Sequence, residues 1–412
     1  MDTFAPLRER EFRLLFAGRI VSLAGNAFAP IALAFAVLEL DGSATDLGVV
    51  LAAGTIPQLV FFLVGGVWAD RLPRNLVVVG TNVVNAAVQL TAAALLLTGV
   101  AELWHLVALS VARGIAMAFF FPASQGLVPQ AVSPELLQQA NALLQVSMSL
   151  TNVLGAALGG ILVAATSPGT ALAFDGVTYL ASAVILAGMR LPRRARTAAS
   201  TFLAELREGW REFRSRRWLW LVVSQHAVFN AFVSGSFFIL GPVIAHESLG
   251  GARDWGFILA AHALGVLAGG LVAVRYRPQR PLVWSAAVFL PFSLVLVLLG
   301  SLQPLGVLAP AVAVSGIGFS LGSVLWETTV QQRVPPEKLS RVVSYDALGS
   351  YAAIPVGYAL VGPVSEGIGV EATCFVSAAI LVSSIALQLS VREVRELRAP
   401  EPVSPKLGIE AA

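Results

Sequence analysis

The residue least expected of its surroundings in this 412-residue chain is Arg113, which sits mid-way along an apolar run from 103 to 123. A charge inside a bilayer core costs about 2.5–3.5 kcal/mol on insertion scales, so such a side chain faces a protein interior or a cavity. In that low-dielectric setting it needs an anionic or carbonyl partner. Asp175, Glu327 and Asp346 lie near the ends of other apolar runs, where each can serve either as a proton carrier or as a plain boundary residue. Stripes of mostly polar residues recur at helical spacing: Arg19, Ser22 and Asn26; Asn141, Gln145, Ser149 and Asn152; His226, Asn230 and Ser234; Tyr351, Pro355 and Tyr358. Each set falls on one face of a helix. Two readings stand for each stripe. It lines a cavity, or it bonds between neighbouring helices, a contact worth about 0.6 kcal/mol. The cavity reading gives Arg19, Asn26, Arg113, Gln145, Asn152, His226, Asn230 and Tyr351 as the substrate-binding set, and the chemistry of that set is recognition. No cofactor is expected: neither Lys338 nor Lys406, the two lysines, completes a nucleotide-binding loop, and no dinucleotide loop or nucleophile elbow is present. Four scattered histidines make no metal site.

The elements that must position these residues are membrane-spanning helices. Hydrophobic residues are 57% of the chain and charged residues only 12%, against roughly 25% in soluble domains. Runs of roughly 20 apolar residues span a bilayer as helices. Twelve are predicted, over 13–38, 46–69, 75–98, 103–123, 137–165, 170–190, 218–245, 252–274, 281–300, 306–328, 341–364 and 368–390. The charged start (Arg8, Arg10, Arg13) leads into a first run too long for a signal-peptide core, so it is expected to be retained as a span. Alternate connections collect the bases: Arg71 and Arg74, the stretch from Arg190 to Arg217, Arg275 to Arg280, Arg333 to Arg341, and the tail from Arg392. The other connections carry Arg253 and otherwise acids such as Asp41, Glu102 and Glu371. Cytoplasmic loops accumulate Lys and Arg. Both termini are therefore expected in the cytoplasm, in a multi-pass protein of the inner (plasma) membrane. The one long linker, 191–217, carries Phe202, Leu206, Trp210 and Phe213 at helical spacing. It reads either as an amphipathic helix on the membrane surface or as a solvated linker helix. The tail 399–412 is expected to be disordered.

The chain also repeats itself. Asn26-Ala27-Phe28 recurs as Asn230-Ala231-Phe232, Gly65-Gly66-x-x-Ala69-x-Arg71 as Gly269-Gly270-x-x-Ala273-x-Arg275, and Pro134-Glu135 as Pro336-Glu337, at offsets of 204, 204 and 202. The expected organisation is two parallel six-helix halves, 1–190 and 218–398, around a central cavity. Such halves hold a substrate near the bilayer midplane. Between the second and third runs stands Gly66-x-x-x-Asp70-Arg71-x-x-Arg74, a short charged turn. It serves topology alone, or it resembles the loop signature of the major facilitator superfamily. Further segments resemble that superfamily's drug and macrolide efflux branch, which includes siderophore exporters. These are Arg113-Gly114, Leu127-Val128-Pro129, Gln139-Ala140-Asn141-Ala142-Leu143, Trp326 through Gln332, and Pro355-Val356-Gly357. Gly155-Ala156-Ala157-Leu158-Gly159-Gly160 is similar to the fifth-helix exporter motif, with Ala156 where the motif has Pro.

The resemblance implies a twelve-helix secondary transporter, not an enzyme, in which the first and fifth helices of each half border the cavity. It implies that Arg113 couples proton binding to substrate binding. It also implies that Gly66, Asp70, Arg71 and Arg74 form a latch, with Asp70 meeting the inner start of the eleventh helix in the outward-open state. The expected function is export of small amphipathic organic compounds by proton antiport with rocking of the halves. The alternatives are a dedicated siderophore or lipid exporter, an importer of the same fold, or, from another class, a membrane-embedded enzyme or signalling scaffold. The last leaves the repeat unexplained. Expected partners are a small-molecule substrate, protons and membrane lipids, with no nucleic acid and a monomeric state.

Overall fold

A computed structural model describes residues 4–71, 73–191, 210, 211 and 213–398, with the side chains of 62–71, 336, 337, 340 and 341 outside the description. The described residues are helical and form no strand. They include twelve segments long and apolar enough to cross a membrane. The expected linker helix over 201–209 and the expected disordered tail lie outside the described residues.

Eight spans are continuous or nearly so. Helix α3 (Ala44–Arg71), α4 (Arg74–Leu97), α5 (Leu103–Ala131), α6 (Leu137–Ala165) and α7 (Pro168–Ala187) follow the first span. The fourth span runs on to Ala131, eight residues past its predicted end, with Pro122 and Pro129 carried inside the helix.

Four spans are interrupted. The first is α1 (Arg10–Asn26) and α2 (Ala29–Glu39), parted at Ala27-Phe28 just before Pro30. Proline removes an intrahelical donor and clashes with the preceding turn. The seventh is α8 (Arg217–Val228) and α9 (Gly235–Ser248), joined by a π-helical turn at Phe229–Ser234. The eighth is α10 (Gly251–Arg275). The ninth is α11 (Pro281–Ala287) and α12 (Leu290–Gly300), parted before Pro291. The tenth is α13 (Leu305–Arg333). The eleventh is α14 (Pro336–Tyr351) and α15 (Ile354–Ile368), parted before Pro355, and the twelfth is α16 (Val370–Ser390), followed by the short α17 (Arg392–Glu396). Both copies of the repeated Asn-Ala-Phe thus fall at a discontinuity of their helix.

Within the first six spans, α3 packs along α5 and α4 along α7; within the last six, α10 packs along α13. These helices meet backbone to backbone. A Cβ at Gly114 would lie 2.0 Å from the Gly54 carbonyl, and one at Gly316 would lie 2.3 Å from that of His262. Small residues at such crossings replace the hydrophobic driving force that a bilayer does not supply.

The first six spans meet the last six chiefly through α3 on α15 and α6 on α10, with α2 against α9 and α10. The two main contacts are again made by glycine. A Cβ at Gly48 would lie 2.1 Å from the Tyr358 carbonyl and one at Gly362 2.4 Å from Thr45 Cα. A Cβ at Gly160 would lie 2.8 Å from Gly256 Cα, and one at Gly256 2.8 Å from Gly160 Cα. All four glycines lie toward the end of the bundle that carries the 40–43, 166–167, 249–250 and 369 connections. Among the described residues, the segments α1, α8 and α14, on the far side of the helix breaks, take no part in extensive packing between the two sets of spans.

Candidate functional site

Beneath this glycine seam, between the two sets of spans, lies a cavity of about 290 Å³. From the first six spans its walls come from α2, α3 and α5, and from the last six from α9, α10 and α15. Most of the lining is apolar, with Leu33, Val50, Leu51, Met117, Phe238, Trp255 and Leu259 prominent. Thr55, Gln58, Ser110 and Tyr358 add polar groups, and among the described residues Arg113 is the one charged residue in the lining. The close contact of Gly114 on Gly54 holds α5 against α3 and so fixes the residue beside it, Arg113, at the wall. Apolar walls with a few convergent polar groups are the usual character of a small-molecule site.

Arg113 donates through Nη2 to Asn26 Oδ1 at 2.6 Å, and its Nε is buried without a partner. Tyr179 Oη donates to the same Asn26 oxygen at 3.2 Å. Asn26 presents its side chain from the last turn of α1, beside the helix break. Next to this group stands Asp175, with no exposure to solvent. Its Oδ2 accepts from Gln89 Nε2 at 2.5 Å and its Oδ1 has no partner. Gln89 belongs to a stripe on α4, Asn82, Asn85 and Gln89, all buried, with Asn82 donating to Ser182 at 2.9 Å. The spacing i, i+3, i+7 of these three residues is legible in the sequence as one polar face of a helix.

The other predicted residues are distributed around this centre. Arg19 donates to Ser124 on α5. Gln145 and Asn152 are exposed on α6 and make no hydrogen bond among the described residues. Their face, with Asn141, lies roughly opposite that of Leu150, Leu154 and Leu158, also exposed, at 100° per residue. A membrane helix with exposed polar and apolar faces on opposite sides meets water on one and lipid on the other. His226 is half-buried between Phe289 and Trp326, each 5.7 Å away between ring centres. Asn230 donates to the Ser350 carbonyl at 3.0 Å, where α14 ends. Tyr351 is exposed at that break. Asp346 accepts from Trp326 Nε1 at 2.8 Å and from Ser350 Oγ at 3.3 Å, and the exposed Glu327 is within electrostatic reach of it. Of the eight predicted substrate-binding residues, the cavity has Arg113 in its lining and Asn26 directly behind it. Thr55, Gln58 and Ser110 were missed. Of the aromatic residues near these stripes, Phe28, Phe229 and Trp326 are packed away at 8%, 4% and 4% exposure, while Phe232 is half-buried.

Of the latch, Arg74 donates to the Gly126 carbonyl of α5 at 2.9 Å, while Gly66, Asp70 and Arg71 have side chains outside the described residues. Among the described residues no three His, Cys, Asp or Glu are placed to hold a metal.

Comparison with known proteins agrees with this architecture. A family model described as "Transmembrane secretion effector" matches residues 1–406. Macrolide efflux protein A of Streptococcus pyogenes is 25% identical over 400 residues, covering 94% of this chain and 97% of that protein. Multidrug efflux pump Tap of Mycolicibacterium fortuitum is 27% identical over 377 residues, covering 87% and 90%. Among solved structures, a bacterial homologue of the human lysosomal transporter Spinster, in an inward-facing and unoccupied conformation, superposes with a TM-score of 0.72 at 15% identity, over 97% of this chain and all of that one. With twelve apolar helices, a cavity between their two sets and a family match over almost its whole length, the chain belongs to the transmembrane secretion effector family of the major facilitator superfamily, as a multi-pass membrane transporter and not an enzyme.

Proposed function

We propose that this transporter exports small amphipathic organic compounds from the cell, driven by inward movement of protons, with the halves 1–190 and 218–398 rocking about the central cavity. The observation that carries the reading is the cavity itself. Its volume of about 290 Å³, apolar walls and single guanidinium fit a compound with a large apolar body and at least one acceptor or anionic group. A sugar or a small ion would leave most of that wall unsatisfied. The efflux function of the two relatives supports the outward direction.

The basic connections are assigned to the cytoplasm of a cell with this protein in its inner membrane. The glycine seam then closes the outer end, and the conformation is inward-open. Gln145 and Asn152 face the water-filled vestibule below the cavity, where Glu327 and Tyr351 are exposed from the other half. Lipids contact the apolar outer faces, and one chain suffices to form the cavity.

The test is accumulation of a panel of lipophilic dyes and macrolides in cells producing the protein, with and without a protonophore. Lower accumulation that recovers when the proton gradient collapses is the expected result. No change for any compound, with the protein shown to be in the membrane, removes the broad exporter reading. It leaves a dedicated siderophore or lipid as the substrate class.

A further inference from the structure

The contacts that join the two sets of spans and the wall of the cavity beneath them share residues. On α15, the Tyr358 carbonyl is the atom that a Cβ at Gly48 of α3 would overlap, and Tyr358 also lines the cavity. On α10, Gly256 lies against Gly160 of α6, and the residue before it, Trp255, lines the cavity. Leu259, one turn after Trp255, lines the cavity as well. Ala252, one turn before Gly256, presents its carbonyl to Gly160. One face of α10 therefore meets the cavity and the adjoining face meets the seam.

Trp255 has no slack in its setting. It is only 2% exposed. The benzo edge of its indole fills the space beside Gly241 of α9, where a Cβ would overlap Cη2 and Cζ3. The ring of Phe237, on the same helix as Gly241, stands 5.0 Å from it. A close-packed interior transmits a displacement instead of absorbing it. On its other face α10 meets α6 backbone to backbone, with no side chain between to yield. The indole N–H has no hydrogen-bond partner among the described residues. A buried indole usually has one. An acceptor on a bound compound would supply it.

We infer that Trp255 is the substrate-sensing residue of this transporter: a compound in the cavity bears on its indole, and the resulting shift of α10 parts Gly256 from Gly160 and loosens the seam. The inference rests on the export reading above and adds the residue through which an occupied cavity opens the outer end. A ligand shifts a conformational balance only by binding one state more tightly than the other. Trp255 supplies that difference. With the seam closed, the body of the substrate and the indole compete for one space, because Gly241 and Phe237 bar the indole from retreating. With the seam open, α10 stands farther from the first six spans and both fit. Tyr358 carries the same strain to Gly48 through its own backbone. The order suits export: the compound enters from the inner side, and its arrival weakens the outer closure.

The experiment reads distances between spin labels on the 40–43 and 369 connections, in the full chain in lipid nanodiscs. The labels are carried on keto side chains, which leaves cysteine chemistry free, and the native Cys374 is buried. The first arm needs no substrate. Leu51→Cys, on the α3 wall of the cavity, is reacted with benzyl methanethiosulfonate as a tethered apolar body, or with the methyl reagent as control. The benzyl adduct is expected to raise the open-seam population at least fivefold over the methyl adduct, and less than twofold when Trp255→Leu is added. Unchanged distances in a fully modified benzyl adduct overturn the inference, as does an equal response with Trp255→Leu. The second arm adds erythromycin to the unmodified chain. It is expected to lengthen the distances in wild type. Trp255→Leu is expected to bind erythromycin saturably with no lengthening, and Trp255→Phe to recover part of the response. A full response in Trp255→Leu again overturns the inference. If Trp255→Leu does not reach the membrane, Trp255→Phe, which keeps a ring, is read in both arms for its reduced response. If wild type binds no erythromycin, the exporter reading fails for that compound and the adduct arm still decides the role of Trp255.

Discussion

At the scale of single residues, the burial of Arg113 makes its geometry matter as much as its charge. Its bond to Asn26 uses one end of a planar fork, and its Nε stands ready for a second bond. Lysine offers a point charge on a flexible stem and cannot reproduce this fork. Arg113→Lys is therefore expected to keep the protein in the membrane but to lower transport about tenfold, equivalent to about 1.4 kcal/mol of lost coupling. Transport assays beside membrane blots check it; wild-type transport by Arg113→Lys would mean that charge alone suffices. The sequence made Arg113 conspicuous because a lone cation in an apolar run is rare. Its surroundings were not legible in the same way. Gln89 and Ser110 are ordinary in a membrane helix, and only the packing of α4 on α7 and of α5 on α3 brings them to Asp175 and to the cavity.

At the scale of elements, four spans are interrupted where the apolar pattern runs on unbroken. The periodicity of apolar residues located all twelve spans, since burial in lipid demands it of every one. It could not show that the first, seventh, ninth and eleventh are broken, because a proline or a π turn changes backbone bonding without changing hydropathy. At the eleventh span, the break before Pro355 leaves the Ser350 carbonyl without its helical donor, and Asn230 replaces it at 3.0 Å. Asn230 thus ties the π turn of one helix to the break of another. Asn230→Ala leaves that carbonyl unpaired and is expected to cost about 1 kcal/mol, seen as a lowered midpoint of thermal unfolding in detergent. Asn230→Asp, which accepts but does not donate at neutral pH, is expected to behave like the alanine variant; an unchanged midpoint for both would show that water serves the carbonyl instead. The linker adds a further contact. Phe213 is buried, with its ring 6.0 Å from that of Tyr345 on α14, so the described end of 191–217 leans on the same helix.

At the scale of the whole molecule, alternating access requires that the seam under Gly48, Gly160, Gly256 and Gly362 open. A leucine at Gly160 or Gly256 places its Cβ within 2.8 Å of backbone atoms across the seam, where no side chain can yield. Both variants are expected to favour the conformation open at the seam and to lose most transport. Distances between spin labels at the 40–43 and 369 connections check this: lengthening relative to wild type is the expected result, and unchanged distances would place the gate elsewhere. The seam has one more consequence. Its four close contacts bring together carbonyls, Cα atoms and short side chains, so their separation uncovers little hydrocarbon. Heat capacity changes mainly with the hydrocarbon uncovered, and exposed polar groups subtract from it. The balance between the two conformations should therefore respond to temperature with a nearly constant enthalpy, giving a straight van't Hoff plot. The bias of the gate would then shift steadily from a cold cell to a warm one, with a single enthalpy and no optimum between.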